Sequence, residues 1–171
     1  VSLEIEDGEL VGIIGPTGSG KSTLIQHFNG LLKPDSGKVF VDGVDLTLKD
    51  TQLRLIRQKV GMVFQYPEHQ LFGETVLEDV GFGPRNIGLS DEDVIQRVRE
   101  ALAYVGLDKI ANEYAGAQPY GVLKLIELGR TLMCDPSLII LDEPAGGLND
   151  SETERLTELI RGIARDRHCA I

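Results

Sequence analysis

An α/β fold with a mainly parallel sheet is the fold class that the sequence predicts. Short apolar runs alternate along the 171 residues with amphipathic segments at helical spacing. A glycine-rich phosphate-binding motif follows one early run, and a later run ends in two acidic residues. Strands that alternate with helices favour parallel pairing through crossover connections. We therefore expect one sheet, with both motifs at the edge where α/β proteins bind ligands.

The phosphate-binding motif is the P-loop pattern G-x-x-x-x-G-K-[ST], which residues 15–22 satisfy as G-P-T-G-S-G-K-S. The run 10–14 is predicted to be a buried strand that leads into the loop, and a helix is predicted to begin near Lys21. Both features argue against the alternative, a chance glycine-rich turn. Glycines let backbone N–H groups approach phosphate oxygens, and the helix dipole favours the same anion. The predicted nucleotide-binding residues are Gly15, Pro16, Thr17, Gly18, Ser19, Gly20, Lys21, Ser22 and Thr23.

Side-chain chemistry gives two of these residues specific roles. Lys21 can reach the β- and γ-phosphates, and the Ser22 hydroxyl can ligate Mg²⁺. The other strands are predicted from alternation and turn signals. They cover 3–5, 39–41 and 60–64, with hairpin signals at Asp7-Gly8 and Asp42-Gly43 and a polar, proline-containing loop over 65–72.

Capping signals and apolar stripes predict the helices. Gly83-Pro84 is expected to stop one helix near Phe82, because proline cannot donate a hydrogen bond within a helix. Ser90 and Asp93 resemble a capping box ahead of a long apolar stripe. The remaining predicted helices cover a segment around 53–56, 75 to about 82, 94–105, 120 to about 134, and a last helix whose capping box is Ser151 with Glu154.

The second chemical signal is L-I-I-L-D-E at residues 138–143, an apolar strand that ends in Asp142 and Glu143. A carboxylate in this position is the Walker B arrangement, which holds Mg²⁺ directly or through water. Glu143 is then placed to polarise a water molecule for attack on the γ-phosphate, and a purely structural role is the alternative for it. An ordinary core strand with two acids at its exposed end is the alternative for the whole run.

The composition limits the classes of function. The chain has 27 acidic and 17 basic residues, and its net charge of −10 argues against a general nucleic-acid binder. Cys134 and Cys169 form no metal or redox motif, so we expect a reduced, cytosolic setting. No run of about 18 apolar residues predicts a membrane span. Strand patterns at both ends, without a starting Met, lead us to expect a chain that is truncated at both ends.

Three motifs, in this order and at these separations, resemble the nucleotide-binding domain of an ABC transporter. They are G-P-T-G-S-G-K-S-T-L at 15–24, V-F-Q at 63–65 and L-I-I-L-D-E-P at 138–144. A GTPase would carry an N-K-x-D motif, which this sequence lacks. The resemblance covers essentially the whole chain and implies a single domain, 1–171. That domain would have a P-loop core with an antiparallel β subdomain (1–65 and 135–171) and a helical subdomain (about 66–134).

The resemblance also implies cofactors, roles and partners. ATP and Mg²⁺ are the implied cofactors, with Ser22, Gln65 and Asp142 at the metal and Glu143 and Gln65 as the catalytic residues. Gln65 would also signal to a membrane subunit. The implied partners are a second nucleotide-binding domain, identical or not, and an integral membrane transporter subunit, without nucleic acid. The implied location is cytoplasmic, peripheral on the inner face of the cell membrane.

The segment with which this family caps a partner's nucleotide departs from the common pattern. Residues 118–122 read Q-P-Y-G-V where L-S-G-G-Q is usual. Pro119 replaces the serine hydroxyl, and only Gly121, at a helix start, keeps the anion-binding logic. Pro119, Tyr120 and Gly121 are therefore the implied signature residues, which would act in trans on the partner's nucleotide.

The two halves of the chain resemble different subfamilies. Residues 1 to about 107, which include V-F-Q-Y-P-E-H-Q-L-F at 63–72, resemble energy-coupling-factor ATPases of cobalt and vitamin uptake. Residues about 110 to 171, with the P-Y-G variant, resemble ATPases of branched-chain amino-acid importers. A hybrid chain and a divergent natural member both explain this division.

Three hypotheses for the function remain at this point. The leading one is the ATP-binding subunit of an ABC importer that hydrolyses Mg-ATP, with the energy-coupling-factor type favoured over the branched-chain type. The second is an ATP-binding fragment or hybrid with little hydrolysis, because both ends look truncated, the family's switch histidine finds no match and the signature segment departs from the common pattern. The third, a soluble ABC ATPase of DNA repair or translation, is disfavoured by the acidic composition.

Overall fold

The central sheet is parallel, as the sequence predicts. In the computed structural model, which describes residues 1–49, 51–64 and 70–171, β3 (Val60–Val63) pairs in parallel with β4 (Leu138–Leu141) over all four residues. A parallel bridge from Leu138 to Ala170 extends the sheet. The carboxyl ends of β3 and β4 therefore lie side by side, at the edge where the two chemical motifs are expected.

A small antiparallel hairpin lies beside this core. It consists of β1 (Phe40–Val41) and β2 (Val44–Asp45). Asp42 and Gly43 connect them with positive φ angles of 47° and 75°. A tight hairpin needs this left-handed backbone at both central residues, which is why an Asp-Gly pair predicts it correctly.

Six α-helices surround the strands in the described part of the chain, and α5 joins the helical layer to the sheet. It packs against α3, α4 and β3. None of the described helices is long and apolar enough to cross a membrane. The division into a core and a helical subdomain stays a prediction. The helices are α1 (Lys21–Phe28), α2 (Leu53–Lys59), α3 (Val76–Asn86), α4 (Asp91–Val105), α5 (Tyr120–Leu132) and α6 (Asp150–Arg167), with short 3₁₀ turns at Asp108–Ile110 and Ala115–Ala117.

The apolar stripe of α4 forms part of the main core, as predicted. Ser90 begins the helix by accepting a hydrogen bond from the Asp93 amide at 3.2 Å. The Asp93 carboxylate accepts a hydrogen bond from the Ser90 hydroxyl at 2.6 Å and none from the Ser90 amide. The capping box is therefore incomplete. The stripe then packs on α3 and α5 through side chains that are all buried: Val94, Val98, Ala101, Leu102 and Val105.

The strands predicted over 3–5 and 10–14 are wrong. Residues 1–14 contain no strand, and Ile14 is 97% exposed. Only a turn forms at Asp7-Gly8. Ile171 exchanges two backbone hydrogen bonds with Glu9 and Val11, at 2.9 and 2.8 Å. Because a strand needs a continued ladder, this isolated pair of bonds holds the segment in place without making it a strand.

The predicted end of α3 near Phe82 is also wrong, because the helix continues through Pro84 to Asn86. Proline removes the hydrogen bond that its own amide would donate, and its ring crowds the carbonyl one turn earlier. The Ile87 amide still donates to the Gly83 carbonyl at 3.3 Å. Val80 and Pro84 are both buried, so packing against the core favours helical backbone past the proline.

The second predicted capping box lies two positions too late in the chain, on Ser151 and Glu154. The N-cap of α6 is Asn149, and its partner is Glu152. Asn149 Oδ1 accepts from the Glu152 amide at 3.0 Å, and Glu152 Oε2 accepts from the Asn149 amide at 3.0 Å. Asparagine is as good an N-cap as serine, so the reciprocal pair forms here and not between Ser151 and Glu154.

Candidate functional site

The predicted phosphate-binding loop leads directly into α1. Gly20 is the residue before the helix, and its φ of 90° lies in the left-handed region that glycine adopts without steric cost. Gly18 has a similar φ of 79°. The Ser19 amide donates to the Pro16 carbonyl at 3.2 Å, which closes the loop. Residues 16–20 are exposed, so the unpaired amides at the helix start are accessible to an anion.

Lys21 is folded over the loop from the first position of α1. Its Nζ donates to the Gly15 carbonyl at 2.8 Å and to the Pro16 carbonyl at 3.0 Å. A lysine ammonium has three donors and no acceptor. The loop therefore carries a positive charge at its centre, on a flexible side chain whose partners are all local.

Ser22 and Asp142 bring two oxygen ligands together from different elements. Ser22 Oγ, in the first turn of α1, donates to Asp142 Oδ1 at 3.1 Å. The Asp142 amide donates to the Val63 carbonyl at 3.0 Å, which places the carboxylate where β3 and β4 end. A hydroxyl beside a carboxylate is the hard, oxygen-only ligand set that Mg²⁺ prefers.

Ser22 and Asp142 fit a metal ion whose remaining ligands are phosphate oxygens and water. Within the described ranges, no group of three or more His, Cys, Asp or Glu side chains could hold a metal ion. Magnesium in nucleotide sites is held by one or two protein groups together with phosphate oxygens and water. The pair of Ser22 and Asp142 meets that requirement, and it lies next to Lys21.

Glu143 follows Asp142 with an exposed side chain and a left-handed backbone, φ 48°. This conformation is strained for a residue with a Cβ. The Gly146 amide donates to the Glu143 carbonyl at 3.0 Å and so closes a turn directly after β4. The carboxylate therefore lies at the carboxyl end of the strand, beside the metal-ligand pair, and its assignment as the catalytic base stays a prediction.

Gln65 lies outside the described residues, but the residue before it is held firmly. The Phe64 amide donates to Glu127 Oε1 at 2.8 Å, and Lys124 Nζ donates to the Phe64 carbonyl at 2.6 Å. The sequence analysis did not single out Lys124 or Glu127. The signal that could have found them is two charges, three residues apart, inside the apolar run of α5.

The predicted signature residues form the start of α5 and pack against the start of α6. Pro119 is the N-cap, and it contributes no side-chain hydrogen bond. A Cβ added to Gly147 would lie 2.9 Å from the Tyr120 ring. A Cβ added to Gly121 would lie 2.8 Å from the Glu152 carboxyl carbon. The segment is thus fitted closely to its own chain, and its action on a partner's nucleotide stays a prediction.

The comparisons with known proteins agree with this geometry. The sequence model of the ABC transporter family matches residues 1–146. The chain belongs to the ABC transporter family. The match includes the P-loop, the Ser22–Asp142 pair and the signature segment of this member of the family, and it confirms the resemblance on which the sequence analysis relied.

Named relatives narrow the resemblance. The chain is 53% identical over 169 residues to the energy-coupling factor transporter ATP-binding protein EcfA2 of Symbiobacterium thermophilum. This alignment covers 96% of this chain and 58% of the relative. It therefore spans less than two thirds of that relative's length. The likeness to energy-coupling-factor proteins is confirmed and extends past residue 107. The likeness of residues 110–171 to branched-chain importers stays a prediction.

Solved structures confirm the fold. The structure of cbiO1 from Clostridium perfringens, part of the ABC transporter complex cbiONQ, superimposes with a TM-score of 0.92 at 32% identity, over 100% of this chain and 68% of that one. A dimeric ATP-binding cassette in a post-hydrolysis state, bound to ADP and Pi, gives 0.86 at 29% identity, over 98% and 75%. The predicted α/β P-loop fold of an ABC ATPase is therefore confirmed.

Proposed function

We propose that this chain is the ATP-binding part of an energy-coupling-factor importer and that it hydrolyses Mg-ATP to drive uptake. The single observation that carries the proposal is the meeting of Ser22 Oγ and Asp142 Oδ1 at 3.1 Å, beside the Lys21 ammonium. This geometry combines an anion cradle, a positive charge and a metal-ligand pair at one sheet edge. The names of the relatives, which are ATP-binding proteins of such transporters, support the same function.

Catalysis in such a site consists mainly of positioning and charge stabilisation. The amides of the loop and of the first turn of α1 bind the β- and γ-phosphates. Lys21 Nζ exchanges the Gly15 and Pro16 carbonyls for phosphate oxygens and stabilises the charge that builds up on them. Ser22 and Asp142 would hold Mg²⁺, which would neutralise phosphate charge there. Loss of the metal pair should therefore weaken both binding and turnover.

Glu143 supplies the acid–base chemistry in this proposal. Its carboxylate orients a water molecule and accepts the proton as the water oxygen bonds to the γ-phosphorus and the bond to the ADP oxygen breaks. The family resemblance assigns to Gln65, which lies outside the described residues, the orientation of the same water and a place at the metal. The role of Glu143 follows from its place directly after Asp142 at the end of the strand, and its exposed side chain supports that role.

The proposed partners are a second nucleotide-binding domain and a membrane subunit. The start of α5, with Pro119, Tyr120 and Gly121, would cap the nucleotide held by the other domain, as the similar dimeric cassettes suggest. The membrane subunit would hold the chain at the inner face of the membrane as a peripheral protein. A sedimentation measurement with and without Mg-ATP tests the dimer directly.

Point variants test the proposed site. Lys21→Ala should abolish ATP binding or turnover, while Glu143→Gln should keep ATP binding and stop turnover. Lys33→Ala, which removes an exposed lysine outside the loop, is the matched control and should behave like the unaltered chain. The measurements are ATP affinity by calorimetry and phosphate release. Tight ATP binding by the Lys21 variant would contradict the assignment.

ATP binding with little turnover is the second candidate function, and Pro119 favours it. As the N-cap of α5 it offers no hydroxyl to a phosphate. If this limits turnover, Pro119→Ser should raise the rate of phosphate release and leave ATP affinity unchanged. An unchanged rate would remove the reason for this candidate.

A further inference from the structure

Three buried charged side chains, and a fourth that is mostly buried, lie in the helical layer, and the proposed chemistry uses none of them. The buried ones are Asp79 of α3 and Lys124 and Glu127 of α5, and the fourth is Arg130 of α5. The three on α5 follow at intervals of three residues and so share one face of the helix. Burial of a charge is costly unless partners compensate for it. We call these four residues the buried charge cluster, and its partners show what it does.

One half of the buried charge cluster holds Phe64. Glu127 accepts from the Phe64 amide at 2.8 Å, and Lys124 donates to the Phe64 carbonyl at 2.6 Å. Both backbone groups of one residue are thus bonded by charged side chains, and such hydrogen bonds are stronger than neutral ones. Phe64 immediately precedes Gln65 and follows the last residue of β3.

The other half holds the chain after residue 69. Arg130 Nη1 donates to the Gln70 carbonyl at 2.6 Å and to Asp79 Oδ2 at 3.2 Å. Asp79 Oδ1 accepts from the amides of Phe72 and Gly73, at 2.6 and 3.2 Å. The Arg130 guanidinium also lies 4.9 Å from the centre of the Phe72 ring. The cluster therefore fixes the backbone on both sides of residues 65–69.

Stability alone does not account for this arrangement. Apolar residues of similar volume commonly stabilise a core as well as a buried ion pair does. Here the charged atoms bond backbone groups of Phe64 and of residues 70–73, in addition to one another. In the described part of the chain, Glu127 Oε2 has no hydrogen-bond partner, although it is buried. Burial of these charges costs solvation free energy, and in return the backbone of Phe64 and of residues 70–73 is held in place.

The cluster connects two parts of the proposed site. The Val63 carbonyl, next to Phe64, accepts from the Asp142 amide. Lys124 lies one turn after Tyr120, about 6 Å along the helix axis. We propose that Lys124, Glu127, Arg130 and Asp79 are positioning residues that tie Phe64 and the backbone of residues 70–73 to α5 and α3. A displacement of the start of α5 then moves Phe64, the residue before Gln65, relative to Asp142. This inference rests on the proposed function.

The test compares variants that remove the charges in balanced pairs. Lys124→Met with Glu127→Leu removes both bonds to Phe64 together with one buried charge of each sign, so folding should survive. Glu127→Gln keeps an acceptor for the Phe64 amide and is the conservative variant. Thr131→Val is the matched control, because its hydroxyl bonds only the Glu127 carbonyl within α5. Asp79→Leu with Arg130→Met removes the other half and serves if the first pair does not fold.

The readouts are amide hydrogen exchange and a separation of kcat from KM. In the first double variant we expect the Phe64 amide to exchange about tenfold faster or more, and kcat to fall by about tenfold, with KM and ATP affinity within about twofold. In the second double variant the amides of Phe72 and Gly73 should exchange faster instead. Glu127→Gln should lie between the double variant and the unaltered chain, and Thr131→Val should match the latter.

Each outcome decides between the two proposals. Unchanged exchange at Phe64, or faster exchange with unchanged kcat, overturns the positioning role. A rise in KM with kcat unchanged also overturns it, because it indicates damage to nucleotide binding. If the unaltered chain binds no ATP, the proposed function fails, and the exchange measurement still decides whether the cluster fixes Phe64.

Discussion

The P-loop and α5 both hold backbone in position with charged side chains, the P-loop through local contacts and α5 through contacts far along the chain. The loop is exposed, and its shape depends on glycines and on Lys21, whose partners lie five and six residues away. The stripe on α5 is buried, and its charged side chains bond backbone that lies 60 or more residues away. A local structure can be recognised as a motif, whereas contacts at long range have no pattern of their own. Five predictions test this contrast, from the largest expected effect to the smallest.

The largest effect is expected when the buried charge cluster loses one charge. Arg130→Met leaves the Asp79 carboxylate, which is fully buried, without its charged partner. The free energy of unfolding should fall by about 3–5 kcal/mol in a urea titration. Adding Asp79→Leu should restore much of the loss. Equal losses in the single and double variants would contradict the view that an uncompensated charge is the cause.

The next prediction compares the loss of unfolding free energy at a buried residue of α4 with the loss at an exposed residue near the start of the chain. Leu102→Ala removes a fully buried side chain from α4 and should cost about 2–5 kcal/mol of unfolding free energy. Ile14→Ala should change it by less than about 0.5 kcal/mol, because that side chain is exposed. Chemical denaturation measures both. A large loss in the Ile14 variant would show that the first residues are packed after all.

A smaller effect tests the backbone of the loop. Gly20→Ala places a Cβ on a residue with φ 90°, which should cost about 1–2 kcal/mol and distort the start of α1. ATP affinity should fall with it. Gly12→Ala is the control, because no atom lies near the added Cβ and its φ is not left-handed. Calorimetry should show a loss for the first variant alone.

The cap of α6 should contribute about 1 kcal/mol. Asn149→Ala removes the acceptor for the Glu152 amide and should lower the free energy of unfolding by that amount. Ser151→Ala, at the residue that the sequence analysis favoured, should have little effect. The reverse order of the two losses in thermal or urea unfolding would restore the original prediction.

The smallest effect is a dependence of stability on pH. Burial raises the pKa of Glu127, against the opposing influence of the Phe64 amide, Arg130 and Lys124. The native state therefore keeps this proton to a higher pH than the unfolded state does. Stability should fall as the pH rises from the ordinary pKa of a glutamate through its raised value. Glu127→Gln should remove that part of the slope in unfolding measured across the acid range.

The sequence predicted the parts of this molecule that local rules determine. The Asp42-Gly43 turn, the start of α1 at Lys21 and the stripe of α4 each follow from a residue type or a period. The run 10–14 failed because a strand depends on a neighbour that forms a ladder with it, which no window of sequence shows. The predicted end of α3 at Pro84 was wrong for the same kind of reason, because burial of the proline against the core outweighed its tendency to break a helix.

The residues of the candidate site likewise divide into those that the sequence predicts and those that only the structure shows. The sequence predicted that Asp142 lies beside the P-loop, because ligands of α/β folds bind at the edge where the strands of the sheet end. The contact of Ser22 with Asp142 forms although the strand predicted before the loop does not. The sequence did not predict Lys124 and Glu127 as partners of Phe64. Charged residues on a helix usually face solvent, so only the burial of that face reveals them.

The contact between Gly121 and Glu152 limits how this signature segment can be redesigned. Glu152 fills the space that any side chain at position 121 would need, and the same carboxylate caps α6 through Asn149. A larger residue at 121 would therefore unseat the cap of a second helix. An engineer who rewrites residues 118–122 must therefore keep glycine at 121, or redesign the first turn of α6 in the same step.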